Sequence, residues 1–549
     1  MTMLSQQRLS LVSYFAIAVV GVIVASTTSQ DGVAHAYVIP SVQSLRIESR
    51  WRPRPNAHQH HQHHQHGQLR VPRLKAAAST AAAIDSNDDD GDSEENETNG
   101  YNWSPKVRNL ALPALVGMLA DPLLSLMDTA YVGRVGAVEL AALGACTSIF
   151  HLAFNVFRAT TAATTSLVGS ATNEEEKQQI IQTSLGFGVT LGMVLLITLR
   201  ALGPQCLGAM GVPRDSPLFK PALSYLSTRL FAAPAVLTIV VSEGAFRGYG
   251  NTRIPLLAST VASVINLILD PILMFPLGLG VRGAAAATAA AQMGSAGTYL
   301  YFLNRRGMLP PRRNSKSSSS KTTTTATNVN TADILRTIIG ANIAMVCKQG
   351  SLLLGWAYAT ARATRIGQSH VAAHQVALSC WLVCALLQDG SAVAGQVLMS
   401  QSKKQLKRMR SLASYMGRYA VAQGLLTTLV LLSLSPVLPT AFTTDLSVRK
   451  NLVALMPHLA WQQLLISCTL VAESLAVGGK QFRLLAIGTS IATVLAAWQI
   501  HASNTIVSIW SRGIVTLFAG RLVTALVATG LALRGGDSDD DNDGNTKNK

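Results

Sequence analysis

Glu139-Leu-Ala-Ala-Leu-Gly-Ala145 opens a Ser/Thr/Ala/Gly-rich apolar run that ends at Ser170. It aligns without a gap on His370-Val-Ala-Ala-His-Gln-Val376, which opens a similar run ending at Gln401. Each copy is the second apolar run of its half. From Lys106 onward, runs at about 107–127, 138–168, 180–200, 222–243, 254–276 and 283–303 precede a Ser/Thr/Lys-rich linker at 304–331. Runs at about 333–358, 371–400, 412–435, 452–477, 484–501 and 506–533 follow it. About 20 apolar residues in a helix cross the hydrocarbon of a bilayer. The repeat and the run count predict an all-α polytopic membrane protein of twelve transmembrane helices in two six-helix lobes. Because six is even, the two copies keep one orientation and are parallel repeats about an axis along the membrane normal. Substrate then binds between them, near the midplane.

The whole-chain composition agrees. Of 549 residues, 49% are hydrophobic and only 13% are charged, against about 25% charged in soluble domains. The net charge of +17 comes with no basic motif interleaved with aromatics, so nucleic acid is not expected as a partner. Six cysteines are scattered through or beside apolar segments, with no C-x-x-C and no histidine at ligand spacing. They read as buried small hydrophobes, not as disulfides or a metal site. The chain has no G-x-S-x-G, no H-E-x-x-H and no Walker A motif, and no nucleotide fold fits in the linker. No enzyme activity and no cofactor are expected. Energy for transport must come from an ion gradient, of protons or sodium.

The segments outside the membrane body carry addresses. Residues 1–36 read as a signal peptide, with Arg8, the apolar stretch Leu9 to Ala25, and Ala34-His35-Ala36 as a cleavage site. Residues 37–84 are basic and acid-poor like a transit peptide. Tyr37-Val-Ile-Pro40, just after the cleavage site, resembles the bipartite presequence of algae with secondary red-type plastids. The His/Gln tract from His58 to His66 is low-complexity and receives no function. An acidic linker, 85–104, leads into the N-lobe (105–303), the linker (304–331), the C-lobe (332–534) and an acidic tail (535–549).

Basic residues set the orientation. Lys106, Arg108, Lys177, Arg247, Arg253, the clusters Arg305 to Lys321 and Lys403 to Arg410, Lys480 and Arg483 fall on one face. The other keeps Arg134, Arg214, Lys220, Arg282, Arg362, Arg365, Arg449 and Lys450. By the positive-inside rule, both termini and the linker face the cytosol or its stromal equivalent.

An ionisable side chain in hydrocarbon costs several kcal/mol unless it is paired or wetted, so each one is a functional candidate. Asp121 and Asp128 lie on the first helix, seven residues apart and on one face, with Asp128 near its end. Asn266 and Asp270 share a face of the fifth. Pro122 and Pro271, each following an aspartate, free a backbone carbonyl. Asp389 aligns with Arg158 of the other repeat, which suggests a polar lock between helices. Glu473 has no evident local partner, and Glu243 is expected to pair with Arg247. Arg158, Arg229 and Lys348 are the cations placed to line a cavity.

Leu112-Pro-Ala-Leu-Val-Gly-Met-Leu-Ala-Asp-Pro-Leu-Leu-Ser-Leu-Met-Asp-Thr-Ala-Tyr-Val-Gly-Arg134 resembles the opening of multidrug and toxic compound extrusion (MATE) transporters, in the DinF-like branch that includes plant plastid members. Phe246-Arg-Gly-Tyr-Gly-Asn-Thr-Arg-Ile-Pro255, Asn266-Leu-Ile-Leu-Asp-Pro271, Gly283-Ala-Ala-Ala-Ala-Thr288, Ala372-Ala-His-Gln375 and Gln388-Asp-Gly390 extend the resemblance from about 105 to 534. It implies that Asp128, Asn266 and Asp270 bind the coupling ion. The tenth run departs from the pattern: Glu473-Ser474 and Gly478-Gly-Lys-Gln-Phe482 stand where plant-like members have Asp-Gly and G-x-x-D-F. The resemblance therefore carries no cation site to the C-lobe. Asp121, Asp389 and Glu473 stay as secondary candidates.

These readings converge on a monomeric, ion-coupled antiporter in a lipid bilayer, in a plastid envelope or otherwise in an endomembrane or the plasma membrane, exporting a small organic solute. The cavity walls are rich in Ser, Thr and Ala, and few fixed acids remain once Asp128 and Asp270 serve the ion. That favours an organic anion, citrate-like or an aromatic acid, over an organic cation. The alternatives are a lipid-linked flippase of related fold and a non-transporting scaffold.

Overall fold

The computed structural model describes residues 101–209, 212–310, 331–402, 405–442 and 445–546. The signal, transit-peptide and most of the linker assignments lie outside them. The N-lobe comprises α1 (Trp103–Val135), α2 (Ala137–Gly169), α3 (Glu174–Ala209), α4 (Phe219–Leu230), α5 (Ala233–Gly248), α6 (Arg253–Met274) and α7 (Gly280–Arg305). The C-lobe comprises α8 (Thr331–Ile366), α9 (Gln368–Gln401), α10 (Leu406–Leu434), α11 (Leu438–Phe442), α12 (Leu446–Gly478), α13 (Phe482–His501), α14 (Ile506–Ser508) and α15 (Val515–Thr546). The described residues contain no strand. Among the described residues, eight helices are long and apolar enough to cross a membrane, or nine with the bent pair α4–α5 taken as one span.

Every apolar run is covered by helix, and two runs are not single α-helices. The run expected at 222–243 bends by 49° between α4 and α5. Pro234 explains the break: it occupies the first turn of α5, where its missing N–H costs nothing but cannot continue α4. The last run starts with α14 and a π-helical turn, Ile509–Ile514, before α15. In that turn the Trp510 carbonyl accepts both the Val515 N–H and, at 3.0 Å, the Gln462 side chain. At its far end α15 continues to Thr546, through the acidic tail read as a solvated end. Helix α1 also outlasts its apolar run, reaching Val135.

The surface inverts the soluble pattern. Val189, Met193, Val194 and Ile197 on α3 and Ile487, Ile491, Val494 and Trp498 on α13 are exposed, whereas Asn266, Asp270, Gln388, Gln463 and Glu473 are buried. Lipid solvates the first set and cannot solvate the second.

The lobes meet reciprocally. Helix α1 packs on α9 and α2 on α8, the first helix of each lobe against the second of the other, as parallel repeats require. Trp103, Val107, Leu110 and Ala111 of α1 share one apolar cluster with Val397, Leu398 and Met399 of α9 and Met409 and Leu412 of α10. At the same end, where α7 stops and α8 starts, Gln396 of α9 donates to the Ala162 carbonyl of α2 at 2.8 Å. Gln401 donates to the Gly248 carbonyl at 3.1 Å. The cluster formed by Val132, Ala142, Phe150, Tyr225, Met274 and Val281 lies wholly in the N-lobe, toward the other end.

Candidate ion-coupling and solute site

Along α6, Asn266, Asp270 and Met274 recur every four residues and are buried, while Leu267, Ile268 and Ile272 are exposed. Spacing by four puts the first three on one face, and lipid on the opposite face drives the polar pair inward. There Asn266 Nδ2 donates to an Asp128 carboxylate oxygen at 2.8 Å and to an Asp270 carboxylate oxygen at 3.1 Å. The amide has one hydrogen for each. Asn266 Oδ1 and Asp270 Oδ1 are buried without a donor among the described residues. An unpartnered buried acceptor costs about 1–3 kcal/mol, so this cluster of carboxylate and carbonyl oxygens attracts a proton or a hard cation that prefers oxygen ligands. Asp128, expected near the end of its helix, lies about two turns inside α1 and is half-buried.

Arg229 stands at the last turn of α4, beside the α4–α5 bend. Its guanidinium donates to the Tyr225 hydroxyl at 2.8 Å and lies 4.5 Å from the centre of the Phe150 ring. Glu243 pairs with Arg247. The side chains of Asp121 and Arg158 lie outside the described set.

The C-lobe differs in charge. Glu473, read from sequence as lacking a partner, receives Arg521 on both carboxylate oxygens, at 2.8 and 2.9 Å, and Lys348 Nζ at 2.7 Å. Lys348, expected as a cavity cation, is therefore ion-paired, and it is not brought to Arg229. The partners lie on α8 and α15, too far away in sequence for a local reading to find. Arg521 itself was legible: it is an ionisable residue inside the last apolar run, the signal that singled out the acids. Asp389 is half-buried on α9, next to Gln388, which donates to Gln463 at 3.4 Å, while Ser391 donates to Gln423 at 2.9 Å. All six cysteines are free; Cys146, Cys380 and Cys384 are buried and Cys347 is exposed, against the expectation of burial throughout. Among the described residues no group of His, Cys, Asp and Glu is arranged to hold a metal ion.

Two lobes of long apolar helices around buried polar groups define a polytopic membrane transporter. The family described as MatE matches residues 113–272 and 356–498. The chain belongs to this family, that of the multidrug and toxic compound extrusion transporters. It is 30% identical over 436 residues to Protein DETOXIFICATION 44, chloroplastic, of Arabidopsis thaliana, covering 76% of this chain and 80% of that one. It is 29% identical to Protein DETOXIFICATION 43 of the same plant, covering 77% and 90%. The fold matches a crystal structure of MATE in the bent conformation with a TM-score of 0.68 and 20% identity, over 79% of this chain and 95% of that one.

Proposed function

We propose that the protein is an antiporter that exports a small organic solute in exchange for protons or sodium, with Asp128, Asn266 and Asp270 as the coupling site. One observation carries this reading: a single buried amide bridges two carboxylates, and one carboxylate oxygen of Asp270 and the Asn266 amide oxygen are left without donors. Such a group changes its proton or ion occupancy more readily than a fully paired one, which coupling requires. Twelve spans, with both termini and the linker on the cytosolic or stromal side, follow from the basic-residue asymmetry. The lobes then touch at the inner end, through Gln396 and Ala162. One chain holds both lobes, so the monomer is the unit of transport. A plastid membrane is the proposed site, supported by the transit-like segment and by the chloroplastic relative.

Purified protein in liposomes tests the proposal. A proton or sodium gradient should drive flux of at least one solute from a panel of organic anions and cations. No flux across the panel under either gradient argues for a scaffold.

A further inference from the structure

The Lys348–Glu473–Arg521 cluster holds two cations and one carboxylate. Arg521 alone satisfies both Glu473 oxygens in a bidentate pair, so Lys348 supplies charge that Glu473 does not need. Among the described residues, Glu473 is the only carboxylate paired with either cation. Balanced pairs can be buried in a membrane protein; a surplus charge cannot stay there uncompensated without a large desolvation cost.

The surplus charge is on the less deeply buried of the two cations. The Lys348 side chain is 12% exposed, against 3% for Arg521, and an ammonium has three hydrogens to donate. Lys348 lies one turn beyond Met345. That residue belongs to the apolar cluster joining Ala163 of α2 to Ala472 and Ala476 of α12 and Ala525 of α15, so the triad borders the seam between the lobes. An aromatic wall adjoins it: Arg521 stacks 4.7 Å above the Phe518 ring, Trp356 lies 6.3 Å from Phe518, and Trp381 lies 4.7 Å from Trp356. Trp356 follows Lys348 by eight residues on the same face of α8.

We infer that Lys348, held by Glu473 beside Arg521, is the receptor for a single carboxylate of the exported solute. This deepens the antiporter reading and rests on it. One surplus positive charge balances one carboxylate, whereas a trivalent anion such as citrate brings two charges that nothing in the triad offsets. Phe518 is buried in the core, and the half-buried Trp356 and Trp381 packed beside it take the apolar body of the same molecule. The two lobes thereby divide the work, acid oxygens for the ion and a cationic triad for the solute.

Equilibrium binding to the full-length protein in lipid nanodiscs, in chloride-free buffer, tests the assignment with benzoate, its neutral isostere benzamide, and citrate. Benzoate should bind at least about tenfold tighter than benzamide and tighter than citrate. Lys348→Gln should weaken benzoate by about tenfold or more and Lys348→Arg by no more than about threefold. Glu473→Gln raises the surplus to two charges and should tighten benzoate. A purely structural ion cluster predicts no gain there, so this variant decides the matter by its sign even if Lys348→Gln does not fold. No preference for benzoate over benzamide, stronger binding of citrate, unchanged affinity in a folded Lys348→Gln, or unchanged or weaker binding in Glu473→Gln overturns the assignment. The readouts also separate the two readings: equilibrium benzoate affinity in the Lys348 and Glu473 variants reports on the carboxylate site without any gradient, whereas gradient-driven flux reports on coupling, so failure of one is distinguishable from failure of the other.

Discussion

Asn266 reaches from α6 to Asp128 on α1 at 2.8 Å while its neighbour one turn on, Asp270, shares the same amide nitrogen. The amide therefore senses the state of both acids. When a proton or cation arrives, the bridge must rearrange, and α1 is the helix whose other end packs against the C-lobe. Under the proposed coupling role, α1 carries occupancy at the acids to the seam between the lobes.

The seam should lock when it is cross-linked. A Cβ placed on Gly169 falls 2.9 Å from Ser400 Cβ, so α2 and α9 need part only by roughly 0.6–1 Å to reach disulfide spacing. Gly169→Cys combined with Ser400→Cys should oxidise readily, stop transport, and recover on reduction. Full transport by the cross-linked protein would mean that the lobes do not separate at this end.

Close helix approach should be intolerant of side chains at Gly478. A Cβ there meets the Gln396 carbonyl oxygen at 2.6 Å and Met399 Cβ at 2.8 Å, both on α9. Gly478→Val should destabilise the C-lobe by about 2 kcal/mol or more, read as a lowered thermal midpoint in detergent. A midpoint equal to wild type would contradict this packing.

Glu473→Gln should lower stability although it removes no volume. Breaking a buried ion pair by deleting one partner leaves charge uncompensated, at about 3 kcal/mol, and two cations depend on this carboxylate. Thermal melting checks it. Benzoate should restore part of the loss, because it supplies the missing negative charge.

Much of this fold is legible in the sequence because lipid imposes a simple rule. Apolar length marks each run, and the gapless match of 139–170 on 370–401 marks the two lobes. Asn266 and Asp270 were legible as a pair because four residues make one helical turn. The α4–α5 bend was not read, although Pro234 gave a local signal for it. The C-lobe triad was not read either: Lys348 and Glu473 are 125 residues apart and Glu473 and Arg521 are 48 apart. No periodicity within one helix carries information about which helices become neighbours. Asp128 was read near the end of its helix and lies two turns from it; the backbone helix outlasts the apolar composition, with Thr129 to Val135 still helical.

The most direct test of coupling measures gradient-driven solute flux in proteoliposomes for Asp128→Asn and Asp270→Asn beside wild type. Each substitution keeps size and a hydrogen-bonding head and removes only the titratable, charge-bearing group. Both variants should fold and insert as wild type does and lose gradient-driven flux by at least about tenfold, near 1.4 kcal/mol of lost coupling. Asp389→Asn should be milder, since an amide preserves a polar lock. Normal transport by Asp128→Asn and Asp270→Asn, with Glu473→Gln inactive yet folded, would contradict the account and place coupling in the C-terminal half.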